Sequence, residues 1–131
     1  MPHNLASVFP RRIGHGKARA TRLQIAQIMT LKSPADITTM AELRAQIDRL
    51  DQELIQLLAL RQAHIDRAAQ IKPAIGLPAR IDDRVEEVVS HVRELSKTEG
   101  FDPEIAAQMW RFMVDGMIAR EERAMAQTPK D

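Results

Sequence analysis

Between Thr39 and Pro73 the chain runs 33 residues without a glycine or a proline. Apolar side chains return at Leu43, Ile47, Leu50, Leu54, Leu57 and Leu58, the three-and-four spacing of one helix face. Thr39 and Glu42 form the Thr-x-x-Glu pattern of a capping box, in which the hydroxyl accepts from a first-turn N–H while the Glu reaches back. The spacing therefore predicts one helix over 40–72, roughly 50 Å long at 1.5 Å per residue. A compact monomer of about 95 ordered residues has a radius of gyration near 12–13 Å, so much of this stripe would find no cover within its own chain. An intertwined homodimer is the expectation. A long exposed coiled coil is the alternative, and the shorter helices downstream argue for wrapping instead.

Punctuation residues set those shorter helices. Pro73, Gly76 and Pro78 mark a loop, and Asp82 and Asp83 favour the positive end of a second helix that stops at Gly100. Its apolar residues are Val85, Val88, Val89, Val92 and Leu95. Asp102-Pro103-Glu104 then reads as N-cap, N1 and first-turn acid. A third helix follows through Ile105, Met109, Phe112, Met113, Met117 and Ile118, fading before Pro129. Aromatics make up only 3% of the chain and there are five glycines, too few for the strands and turns of a β architecture. The fold class is all-α: a three-helix chain with a long first helix, over residues 36–127.

The chain has no cysteine, which excludes disulfides and thiolate chemistry, and its four histidines show no metal-ligand spacing. No metal or cofactor is expected. No apolar run approaches the roughly 20 residues of a membrane span, nor is there a secretory signal pattern. The expectation is a soluble, cytoplasmic protein without a membrane partner.

The formal net charge of +1 hides an asymmetry. Residues 1–35 carry Arg11, Arg12, Lys17, Arg19, Arg22 and Lys32 and no acid, for +6; the rest of the chain carries −5. Such a segment suits contact with nucleic acid or an anionic surface, or an organellar presequence. The plainer reading is a disordered extension, or a start mis-assigned upstream of Met29 or Met40.

Cations fall where the helix 1 stripe should be apolar. Stepping from Leu57 reaches Arg61, and Lys72 lies eleven residues further, only about 20° off the same face at 100° per residue. Two cations there are costly unless an anion meets them. One reading is an anionic-ligand site; the other is snorkelling to solvent or pairing with a helix 3 acid. Arg44 sits 17 residues before Arg61, roughly 25 Å along the axis. Both could grip one small ligand only if Arg44 came from the other subunit of an antiparallel dimer. Taken alone, Arg44 is a solvated residue within i+4 reach of Asp48. On helix 3, Met113, Met117 and Glu121 stack at i, i+4 and i+8. Glu121 is either at the edge of the core or a surface member of the cluster Arg120, Glu121, Glu122, Arg123.

Leu43-Arg44-x-x-Ile47-Asp48-x-Leu50-Asp51-x-x-Leu54-Ile55-x-Leu57-Leu58-x-x-Arg61, followed by Lys72 and Arg84, resembles the all-helical (AroQ-type) chorismate mutase family. Leu77-Pro78, Phe101-Asp102-Pro103 and Trp110-Arg111 resemble family members as well, so the likeness covers 40 to about 125. It implies an interlaced dimer of three-helix chains that rearranges chorismate to prephenate in aromatic amino-acid biosynthesis, with no cofactor or metal. That step requires a dicarboxylate held in its reactive conformation and stabilisation of charge growing on the ether oxygen. The resemblance implies that Arg61 and the partner's Arg44 clamp the substrate carboxylates through guanidinium forks. Lys72 would contact a carboxylate and the ether oxygen, and Arg84 would add positive potential. Glu121 falls where the family commonly has a Gln donating to that oxygen.

Three positions depart from the family pattern. Glu121 donates a hydrogen bond only as the neutral acid, so either its pKa is raised or activity favours acid pH. Helix 2 acids that many mutases aim at the substrate hydroxyl are Ile81 and Val85 here, and Met117 stands where a small hydroxyl residue is common. A pocket without those acids resembles the isochorismate pyruvate lyases, and the same cationic grip would serve isochorismate or 4-amino-4-deoxychorismate. From a different class comes a non-catalytic helical dimer that meets nucleic acid through its basic extension. Nucleic-acid binding lost on deleting residues 1–35, with no chorismate turnover, would mark that case.

Overall fold

The computed structural model describes residues 31–127. The readings placed on residues 1–30 of the basic extension lie outside the described residues. After a single 3-10 turn at Pro34–Asp36 come three helices: α1 (Met40–Ala74), α2 (Asp82–Glu99) and α3 (Pro103–Ala126). The described residues contain no strand. The all-α expectation holds, and each helix starts and stops within about two residues of the position that its punctuation predicts.

The local chemistry of the helix ends is explicit. Thr39 Oγ1 accepts from Glu42 N–H at 3.1 Å, while the Glu42 carboxylate meets Lys32 Nζ at 2.7 Å. Gln46 also holds this first unit together, since its side-chain amide exchanges hydrogen bonds of 2.9 and 3.1 Å with the Lys32 backbone. At the other end, α1 runs through Pro73 to Ala74, two residues beyond Lys72, and Gly76 closes it at φ +76°. Leu77 N–H returns to Lys72 C=O at 2.8 Å and Gly76 N–H to Pro73 C=O at 3.2 Å, a Schellman closure that satisfies the last carbonyls. Gly100 ends α2 in the same left-handed conformation, with Phe101 N–H returning to Ser96 C=O at 2.9 Å. Asp102 caps α3 by accepting from the N–H groups of Glu104 and Ile105.

Two compact units divide the chain, one ending at Ala63 and the next beginning at His64. In the first, Ile47, Leu50, Leu54 and Leu57 of α1 are exposed. In the second, α2 packs on α3, and Ala79, Val85, Val114 and Ile118 form the core with Val88, Trp110 and Met125 against it. Burying an aliphatic side chain of this size contributes roughly 1.5–3 kcal/mol. The α3 face turned inward is Ala106, Ala107, Val114, Ile118 and Glu121. Ile105, Met109 and Phe112 face outward, Phe112 at 83% exposure. Periodicity grouped these large residues with Ile118 as one stripe, but close approach of two helices selects alanines at the contact. The large side chains remain as a second, outward stripe at i, i+4 and i+7.

Candidate active site

Lys72 and Glu121 meet inside the second unit. Lys72 stands in the last turn of α1, where the carbonyl end of the helix dipole favours a cation. Its Nζ donates to Ala79 C=O at 2.6 Å and lies 2.8 Å from Glu121 Oε1. The carboxylate is almost completely buried, at 4% exposure, and the Lys72 side chain at 18% still reaches the surface. Oε1 accepts no hydrogen bond of good angle, so the contact is carried by charge more than by directed bonding. Of the two sequence readings of Glu121, burial selects the core-edge position; its neighbours Glu122 and Arg123 are the exposed ones.

An ammonium has three N–H donors; one is given to the Ala79 carbonyl, the Glu121 carboxylate lies beside the charge, and 18% of the side chain faces solvent. A point charge presented in this way can hold a carboxylate or stabilise an oxygen on which negative charge develops.

The remaining sequence-predicted residues lie elsewhere. Arg84, in the first turn of α2, is about two-thirds exposed and pairs with Glu87 on its own helix. Arg61 and Arg44 belong to the first unit. Arg61 is half-buried with its Nη1 enclosed. Arg44 is exposed and makes no ion pair or hydrogen bond with another described residue, so the pairing with Asp48 is not formed. Val85 is packed in the α2–α3 core and Ile81 caps α2 half-buried. The α2 acids are exposed, with Glu86 held by both Nη atoms of Arg111 at 2.9 and 3.0 Å. No group of three or more His, Asp or Glu that could hold a metal occurs among the described residues. No described helix is long and apolar enough to cross a membrane.

Two features of this region had no signal in the sequence. The Ala79 carbonyl is a backbone group, invisible in side-chain patterns. The other is a fork between α1 and α3, in which Arg120 Nε donates to Asp66 Oδ1 at 2.7 Å and Nη2 to Oδ2 at 3.0 Å. The fork's hydrogen bonds hold the Asp66 carboxyl below its ordinary pKa.

Comparison with known proteins identifies the family. The profile of the chorismate mutase type II family matches residues 43–122, a span that includes every one of the five candidate residues. A chorismate mutase of Methanocaldococcus jannaschii is 25% identical over 92 residues, covering 70% of this chain and 93% of that protein. An isochorismate pyruvate lyase of Pseudomonas aeruginosa is 25% identical over 99 residues, 75% of this chain and 96% of its own. The bifunctional chorismate mutase/prephenate dehydratase of Aquifex aeolicus is 28% identical over 85 residues, which is 63% of this chain but only 24% of that protein. No solved structure matches with comparable significance. With more than half of its length matched by the family profile, and the sequence motif and three-helix fold in agreement, the chain belongs to the chorismate mutase type II family.

Proposed function

We propose that the chain catalyses the rearrangement of chorismate to prephenate, as a homodimer whose two sites each draw on both subunits. The observation that carries this reading is Lys72, an ammonium held by the Ala79 carbonyl and the Glu121 charge while its side chain still reaches solvent. The reaction breaks the ether C–O bond and forms a C–C bond in one concerted step, so the protein supplies grip and electrostatics only. Arg61 and Arg44 of the partner subunit clamp the two carboxylates. Lys72 serves a carboxylate and the ether oxygen. Arg84 adds positive potential once it leaves Glu87, and exposed i,i+3 pairs of that kind are weakly held. Glu121 anchors Lys72 in the free enzyme and donates to the ether oxygen only as the neutral acid, which favours turnover at acid pH. The exposed Ile47, Leu50, Leu54 and Leu57 support the dimer, since a row of bare aliphatics on one helix needs cover.

A second reading, isochorismate pyruvate lyase, is favoured by the Pseudomonas aeruginosa relative and by apolar Ile81 and Val85 at the start of α2. Under either reading Arg61→Ala lowers turnover by roughly a hundredfold or more, as loss of a substrate-positioning guanidinium does. Sedimentation should show the dimer intact. Unchanged turnover would remove Arg61 from the site.

A further inference from the structure

Two charge pairs of opposite polarity tie the end of α1 to α3. Lys72 on α1 meets Glu121, and Asp66 on α1 meets Arg120, the residue beside Glu121. They differ in quality. The Lys72–Glu121 contact is a single approach without directed hydrogen bonding on Oε1, whereas Asp66–Arg120 is a two-bond fork. The apolar cluster of Ala79, Val85, Val114 and Ile118 contains no α1 residue, and at this end of α1 the buried apolar side chain is the small Ala69. The polar crosslinks therefore add direction to a contact that Ala69 makes close. A pair that is 45% exposed at Asp66 and 42% at Arg120 adds little to folding, because water and salt screen it. Its value is geometric, since two parallel bonds fix orientation as well as distance.

We propose that Asp66 and Arg120 are positioning residues, whose fork holds α3 so that Glu121 and Lys72 Nζ stand side by side where the ether oxygen of the transition state would lie. The kinetic consequence rests on the proposed function. Lys72 shares one carboxylate with the arginine clamps, which hold both carboxylates in ground and transition states alike, whereas what Lys72 and Glu121 add at the ether oxygen appears only in the transition state. Loosening the fork should then lower kcat and leave KM nearly alone.

The experiment uses the full chain with chorismate and isochorismate as substrates. Asp66→Asn should lower kcat by roughly tenfold, with KM changed by less than about twofold. Arg120→Lys, which keeps the charge and loses the fork, should lower it by less. The thermal midpoint should move by no more than about 5 °C in either variant. The charge-swapped double variant, Asp66→Arg with Arg120→Asp, should recover most of the lost kcat. An unchanged kcat in Asp66→Asn, or a loss matched by an equal rise in KM, overturns the proposal. If the unaltered chain turns over neither substrate, the functional reading falls, and the fork is judged by amide hydrogen exchange over residues 66–79. Faster exchange there in Asp66→Asn supports the positioning role, and unchanged exchange overturns it.

Discussion

The Lys72–Glu121 pair makes an asymmetric prediction about stability. Lys72→Met would strand a carboxylate that is 4% exposed and has no other polar partner among the described residues. Breaking a buried pair from one side costs about 3–5 kcal/mol, and access of water past the Lys72 stem favours the lower figure, about 3 kcal/mol. Glu121→Gln strands much less. Lys72 keeps the Ala79 carbonyl and 18% exposure to solvent, and the new amide fills the same space. That change should cost about 1 kcal/mol, the worth of one ordinary polar contact. With a urea slope of about 2 kcal/mol per M for a chain of this size, the two midpoints should differ by about 1 M. The protein concentration must be held fixed, because the midpoint of the proposed dimer would depend on it. Adding Glu121→Leu to Lys72→Met should restore stability, since no charge is then left buried. Equal losses in the two single variants, or a greater loss in Glu121→Gln, would refute the claim that the pair is held by Glu121's burial.

Other perturbations test different parts of the account. Ala106→Leu forces methylenes into the α2–α3 contact where Ala106 is 1% exposed, and should lower stability by about 1–3 kcal/mol, read by urea unfolding. Asp66 and Glu86 both have carboxyls held low by hydrogen bonds from Arg120 and Arg111. Their folded values lie below the unfolded ones, so their contribution is present above about pH 4 and fades as pH falls through the folded values. The Asp66→Asn/Glu86→Gln variant should therefore lose less stability than the unaltered chain between about pH 4 and 2, with the difference shrinking in 1 M salt. Leu54→Glu places a charge in the exposed α1 stripe and should convert the proposed dimer to monomer or unfolded chain by sedimentation; an intact dimer in this variant would exclude that face as the interface.

Helix limits were readable because their signals are local. Pro73 with Gly76, Gly100, and Asp102 with Pro103 each act within one turn, and the observed ends follow them. The packing face of α3 was harder to read, because hydropathy weights Met109 and Phe112 above Ala106 and Ala107. Helix contact weights them the other way, since small side chains let backbones approach. The burial of Glu121 follows from that shift of face. Thr39 took its expected capping role, while Glu42 turned to Lys32, a partner ten residues upstream that no capping rule names. The Asp66–Arg120 fork spans 54 positions, and nothing in either local pattern marks one residue for the other. Lys72 was legible from the helix face and from family spacing, and pairing with a helix 3 acid was one of its two sequence readings; that the acid is Glu121, and that the Ala79 carbonyl completes the contact, required the fold.

The most direct test of the central claim is turnover itself. The purified chain is offered chorismate and isochorismate in parallel between pH 5 and 8, with prephenate, salicylate and pyruvate measured. The account predicts prephenate from chorismate, formed fastest at the acid end and abolished by Lys72→Met. Salicylate and pyruvate from isochorismate, with chorismate untouched, would contradict the mutase reading and assign the same cationic site to the lyase.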